Sequence, residues 1–175
     1  MKTQSTPTKK ILTATLNLAL GLGLAFNSLA SQATEDPTVV SIKRLSMEMA
    51  LKAAQASIHD CRAKGIQIGV TVMDRSGNPQ VILRDVLAPD LTLSISRMKA
   101  YTAISFNAAT SSLERRGEGA LGRVPGLFFG AGGVPIEAGG QIYGAIGVSG
   151  APSGKTDEEC AAAGAKAIEP ELELM

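Results

Sequence analysis

The apolar positions change period several times between Leu45 and Ile168, and each change marks a new element. Met47, Leu51, Ala54, Ile58 and Cys61 follow one another at spacings of four, three, four and three, the stripe of an amphipathic helix. Glu48, Lys52, Gln55, His59 and Arg62 form the opposite, polar stripe. Ser46 is the expected N-cap, Glu48 supplies the anion a first turn favours, and Gly65 follows the last turn. Ile68, Val70 and Val72 then alternate with Gly69, Thr71 and Met73, the period of a half-buried strand. Asp74 to Pro79 is dense in turn formers, and Val81-Ile82-Leu83 begins a return strand. Residues 90–109 are helical in pattern, with Leu91, Ile95, Met98 and Phe106 among small residues. Residues 111–126 predict an irregular loop with a short helix around Leu113 to Arg116, and 157–168 an alanine-rich helix.

Residues 130–150 read GAGGVPIEAGGQIYGAIGVSG, in which eight of 21 positions are glycine while Val134, Ile136, Ile142, Ile146 and Val148 are β-branched. This predicts a hairpin with Glu137-Ala138-Gly139-Gly140 at its tip. Strict alternation puts Ile142, Gly144, Ile146 and Val148 on one face of the second strand, and Tyr143, Ala145, Gly147 and Ser149 on the other. Glycine weakens a strand unless a neighbour must come close. The sheet is therefore expected to receive a helix or a second subunit at short range. The element order α-β-β-α-β-β-α describes an α/β fold of the α+β kind with mainly antiparallel neighbours. The domain spans residues 45–168, between a linker at 31–44 and a frayed tail at 169–175.

Lys2, Lys9 and Lys10 precede an uncharged apolar run from Ile11 to Phe26, and Ser28-Leu29-Ala30 fits a small-x-small cleavage site. Residues 1–30 thus read as a signal peptide, placing the protein in the periplasm or outside the cell. A membrane span needs about 20 apolar residues, and this run is shorter and interrupted by Thr13, Thr15 and Asn17. Cleavage after Ala30 leaves 145 residues, enough for one domain, with 14 basic against 16 acidic side chains and a net charge of −2. No basic field remains for nucleic acid or an anionic membrane. Cys61 and Cys160 are the only cysteines. In an oxidising compartment a bond between them would close a long loop, worth about 4–5 kcal/mol on the chain-entropy model. Two buried small hydrophobes are the alternative, and spacing does not choose between them.

Three ordered blocks carry a resemblance. They are Val72-Met73-Asp74-Arg75-Ser76-Gly77, then Lys99-Ala100-Tyr101-Thr102-Ala103 with Phe106 and Thr110, and finally Gly132-Gly133-Val134-Pro135-Ile136 with Gly144 to Gly150. Together they resemble the GlcG/HbpS haem-binding family, itself related to the C-terminal domain of PduO-type proteins. The resemblance implies a profilin-like three-layer sandwich, a mainly antiparallel sheet flanked by helices. It also implies a homo-oligomer that binds haem or a related tetrapyrrole non-covalently at a surface or subunit-interface site.

Other chemistries fit less well. Gly150-Ala151-Pro152-Ser153-Gly154-Lys155-Thr156 has three residues between its glycine and Gly-Lys-Thr where a phosphate-binding P-loop needs four, so Lys155 and Thr156 read as a solvated helix entry. Ser149 lies in no G-x-S-x-G elbow, and His59 is the one histidine a triad could use. Metal-ligand spacings such as C-x-x-C and H-x-x-x-H are missing, as is the Asp/Glu-x-x-Glu motif by which some relatives bind iron. The absence of C-x-x-C-H excludes covalent haem of the c type.

Haem iron is held by His, Met, Cys or Tyr. Outside the signal peptide the chain offers His59, Met47, Met49, Met73, Met98, Tyr101 and Tyr143. The methionines read first as core filler, and a lone histidine on a polar stripe is ordinarily just surface. The resemblance singles out His59 as iron ligand, because the family draws a ligand from its first helix. Lys52, seven residues before it, and Arg62, three after, lie on the same helix side and could pair with the propionates. Thr110 is a further cofactor-binding candidate on the same resemblance; otherwise it is a helix-terminal turn residue. No catalytic constellation is visible. The expected role is an exported haem-binding accessory or sensing protein. A haem-degrading or haem-dependent redox enzyme, and a signalling partner of a membrane sensor, are the alternatives.

Overall fold

Strands Gly69–Asp74 (β1), Pro79–Arg84 (β2), Gly133–Ala138 (β3) and Gln141–Ser149 (β4) pair antiparallel in the order β2-β1-β4-β3. Helices Met47–Ala63 (α1) and Gly154–Lys166 (α3) pack together on one face of this sheet, and Leu91–Phe106 (α2) covers the other. The computed structural model describes residues 38–175; the signal-peptide reading falls outside them. The fold is the expected α+β sandwich with a mainly antiparallel, here wholly antiparallel, sheet between helices.

The ends of α1 follow local chemistry. The Ser46 hydroxyl accepts from the Met49 amide at 3.3 Å, and Gly65, at φ 74°, closes the C-terminus. The buried face, however, is Ala50, Ala53, Ala54, Ser57, Ile58 and Cys61, whereas Met47 is exposed. Small residues win this face because α3 lies close: Cys61 and Cys160 form a disulfide with Cα atoms 5.6 Å apart.

Helix α2 shows the same inversion. Its buried positions are Thr92, Ser96, Lys99, Ala100, Thr102, Ala103 and Ile104, while Leu91 is exposed and Ile95, Met98 and Phe106 are half-buried. The sheet accounts for this. A methyl group on Gly147 would fall against the Ser96 carbonyl oxygen and the Ala100 amide nitrogen, so the α2 backbone rests directly on β4. The short-range contact expected of the glycine-rich strand is thus made by a helix. Thr71 and Ser96 add a buried hydroxyl pair at 2.9 Å across the same seam.

The hairpin departs from strict alternation. Its turn is only Gly139-Gly140, at φ 56° and 73°, two residues shorter than the predicted tip and of the primed type that left-handed glycines permit. Between the pairs Ile136–Gly144 and Glu137–Ile142 the register skips Tyr143. This bulge reverses the phase of β4. Tyr143 joins Ile146 and Val148 in the core beneath α1 and α3, and Ile142 packs with Ala103, Ile104 and Ala145 beneath α2.

Residues 110–118 and 120–123 form two 3-10 segments where a loop with a short helix was expected. Beyond α3 the chain does not fray at once. Glu169–Glu173 form a last helix (α4) that buries Leu172 in the core.

Candidate functional site

The outer side of α1 and the edge strand β2 frame the first candidate. His59 and Arg62 project from α1 beside Leu83 and Arg84 of β2, and with Gln55 and Ile58 they line an open pocket of about 460 Å³. The helical spacing sets His59 and Arg62 one turn apart, and the strand end supplies Arg84. Arg62 Nε donates to Asp85 Oδ1 at 2.8 Å, and a second guanidinium nitrogen donates to the same oxygen. Asp85 is 2% exposed and also accepts from the Ile68 amide at 3.3 Å. The hydrogen bond to Asp85, and then its charge, keep Arg62 protonated above its already high range. Arg84 donates to the carbonyl oxygens of Asp85 and Ala88. Both guanidinium groups are therefore oriented while remaining at the surface.

Lys52 and Thr110 lie elsewhere. Lys52 pairs with Glu171 of α4, whose carboxyl is lowered chiefly by that hydrogen bond. Thr110 is wholly buried; its hydroxyl accepts from the Gly133 amide at 2.9 Å and donates to Glu158 at 3.5 Å. Of the four residues singled out from the sequence, only His59 and Arg62 share a pocket. Arg84 was not singled out, since alternation along a strand marks it as exposed but says nothing of its neighbours.

On the opposite face, Met73, Met98 and Tyr101 meet around a cavity of about 470 Å³ with Arg97 at its side. Three of the seven candidate iron-ligand residues counted in the sequence thus converge here, Met73 from β1 and Met98 and Tyr101 from α2. A third recess, of about 750 Å³, opens between α2 and α3. A buried ion pair forms its floor: Lys99 Nζ donates to Asp157 Oδ2 at 2.7 Å and to the Val148 carbonyl at 3.0 Å, over the Phe128 ring. Asp157 Oδ1 accepts from the Ala151 amide at 2.9 Å. Burial pushes the Asp157 carboxyl above the usual carboxylate range, with the Lys99 and Ala151 hydrogen bonds opposing it. A charge amid the small residues of α2 was the available sign that Lys99 has an internal partner.

A family model described as "Haem degrading protein HbpS-like" matches residues 45–166, from the residue before the α1 cap to the end of α3. The chain belongs to the HbpS-like family. A crystal structure of HbpS is similar over 77% of this chain and 96% of its own, at 40% identity and a TM-score of 0.70; a Streptomyces reticuli HbpS double mutant matches equally well. The fold is shared more widely. Klebsiella pneumoniae ORFY covers 75% of this chain and 95% of its own at 22% identity and a TM-score of 0.70. A PduOC:heme complex covers 71% and 95% at 23% identity and a TM-score of 0.65. No curated protein matches the sequence. Within the HbpS-like region, two of the three sequence blocks meet at one place. A methyl group on Gly132 would strike Lys99 Nζ at 2.5 Å, and one on Gly133 the Lys99 carbonyl at 2.5 Å. Those glycines are required by packing on α2.

Proposed function

We propose that this protein is an exported haem-binding protein that holds the ring at the α1–β2 pocket, with His59 as iron ligand and Arg62 and Arg84 paired to the propionates. The supporting observation is the grouping itself. An imidazole stands at the mouth of a pocket with an apolar floor, Ile58 and Leu83, flanked by two anchored guanidinium groups. Guanidinium is the side chain best matched to a carboxylate, and haem is a flat apolar ring carrying two carboxylates. The donor set suits iron, since imidazole is an ordinary haem ligand. Membership of a family described as haem-degrading, and the PduOC:heme likeness, support the ligand class.

An open pocket covers one face of such a ring. We assign cover of the other face to a second copy of the chain; Val86 and Leu87, just past β2, are 81% and 76% exposed, an apolar edge a homo-oligomer would bury. Hemin titration of the protein without residues 1–30 tests the site. His59→Ala is expected to abolish the wild-type Soret shift and weaken binding at least about tenfold, the loss of roughly 1.4 kcal/mol or more. An unchanged spectrum and affinity would eliminate His59.

The grouping of Met98 and Tyr101 beside Arg97 supports one rival location. Under that reading Tyr101→Phe, and not His59→Ala, changes the spectrum. Incubation with haem and ascorbate or peroxide separates binding from degradation: catalytic loss of haem marks an enzyme, and stoichiometric retention marks a binding protein.

A further inference from the structure

The cavity around Met73, Met98 and Tyr101 has no part in the reading that seats haem against α1. Its walls are apolar and its charge is of one sign. Met73, 1% exposed, comes from β1, Met98 and Tyr101 from α2, and Pro125 from the loop after the second 3-10 segment. Arg97 also lines the cavity; it is exposed, and its guanidinium makes no hydrogen bond or ion pair among the described residues. No carboxylate belongs to the lining. Asp74, in the adjoining turn, is already committed: its Oδ1 accepts from the Ser76 and Asn78 amides at 2.8 and 2.9 Å, and its Oδ2 lies 3.7 Å from Arg44. Backbone shapes the remaining walls. A methyl group on Gly77, at φ 80°, would lie 3.1 Å from Cε2 of Tyr101, and one on Gly126, at φ 89°, 3.9 Å from Cδ1 on the opposite edge. Two turns thus bracket the ring, and both take a conformation that favours glycine, so neither puts a side chain into the space.

We infer that this cavity is a second binding site, for a small aromatic monocarboxylate whose ring lies among Met73, Met98 and Tyr101 and whose carboxylate pairs with Arg97. A guanidinium offers parallel N–H donors that match a carboxylate. Thioethers and a phenol ring both pack favourably against an aromatic face. At about 470 Å³, with an apolar lining and few polar groups, the cavity has the size and character of a small-molecule site. The count of charges selects the class. One cation and no anion balance one carboxylate, not the two charges of a phosphate monoester. Haem, with two propionates, is offered two guanidinium groups at the α1–β2 pocket and one here. None of Met73, Arg97, Met98 and Tyr101 lines the His59 pocket, so the inference stands apart from the haem site.

Methyl NMR of the protein without residues 1–30, disulfide intact and methionine methyls labelled, tests it with 2-naphthoate as probe. The ring current of the bound probe is expected to shift the Met73 and Met98 signals saturably, while that of Met47, exposed on α1, stays in place. Arg97→Gln, an exposed change that leaves the fold intact, is expected to weaken binding about tenfold, as the loss of one charge-assisted contact implies. 2-Naphthamide, the uncharged isostere, should be weaker than the acid by a similar factor. His59→Ala is expected to bind naphthoate as the wild type does, and saturating hemin to leave the naphthoate shifts unchanged, which keeps a failure here distinct from a failure at His59. Absence of saturable shifts at Met73 and Met98 would overturn the inference. So would affinity within about twofold of the wild type in Arg97→Gln, the amide binding within about twofold of the acid, or displacement of naphthoate by hemin.

Discussion

Replacing Lys99 by Met tests whether the ion pair under α2 holds the sheet and α3 together. The two side chains are 4% and 5% exposed, and Lys99 Nζ sits 2.7 Å from the carboxylate. Its removal leaves Asp157 with the Ala151 amide as its one donor among the described residues and takes a donor from the Val148 carbonyl. Breaking a buried pair on one side costs about 3–5 kcal/mol, a large part of a domain's net stability of about 5–15 kcal/mol. The deficit should depend on pH. Burial already raises the Asp157 carboxyl from its ordinary 3.8 while Lys99 pulls it down, so the variant raises it further. A carboxyl raised by folding contributes stability below its unfolded pKa and loses it as pH rises through the folded one. The gap between variant and wild type should therefore widen from about pH 4.5 to about pH 7. Urea denaturation at both pH values, disulfide intact, measures it. Adding Asp157→Asn to Lys99→Met should recover the stability to within about 1 kcal/mol, because no unpaired charge remains. A deficit below about 1 kcal/mol at neutral pH, or the same at both pH values, would refute the assignment.

Gly147→Ala should destabilise by about 3 kcal/mol or more, because the methyl group meets the α2 backbone at Ser96 and Ala100 and neither can yield without moving the helix; urea midpoints or loss of soluble protein would show it, and wild-type stability would contradict the contact. The Cys61→Ala/Cys160→Ala variant should lose about 4–5 kcal/mol, since the bond closes a loop with a sequence separation of 99. Dithiothreitol should bring the wild-type midpoint close to that of the variant, and an unchanged midpoint would show that the bond does not constrain the unfolded chain.

Element type and order were readable because the period switches from helix to strand at sharp boundaries, at Gly65, at the 74–79 turn and at the glycine hairpin. Which side of each element faces inward was less so. Hydrophobicity alone put Met47, Leu91 and Met98 in the core. The structure buries alanine, serine and threonine there instead, because backbone layers touch through Gly147 and the Cys61–Cys160 bond. The phase reversal at Tyr143 has no signature in composition, since a bulge is a property of register between strands. The site was legible only where it is local. His59 and Arg62 share one helix and could be paired from spacing. Arg84, and the partners of Lys52 and Thr110, come from distant parts of the chain.

The inward placement of small residues also explains why the recesses lie at the surface. A helix that rests its backbone on a glycine strand has no room between layers for a ligand; interiors at this density leave no cavity for a tetrapyrrole. The same packing turns the bulky residues of α2 outward, and these line the recesses: Leu91 and Ile95 the one beside α3, Met98 and Tyr101 the one on the other side. On α1 it is the polar stripe, exposed as its pattern predicts, that carries His59 and Arg62. Close packing in the middle and apolar pockets at the rim are thus one feature of this sequence. Enlarging Gly147 would disturb the pockets on α2 through the helix itself, whereas the hemin binding proposed for the α1–β2 pocket, which α2 does not line, should be unchanged in any Gly147 variant that still folds.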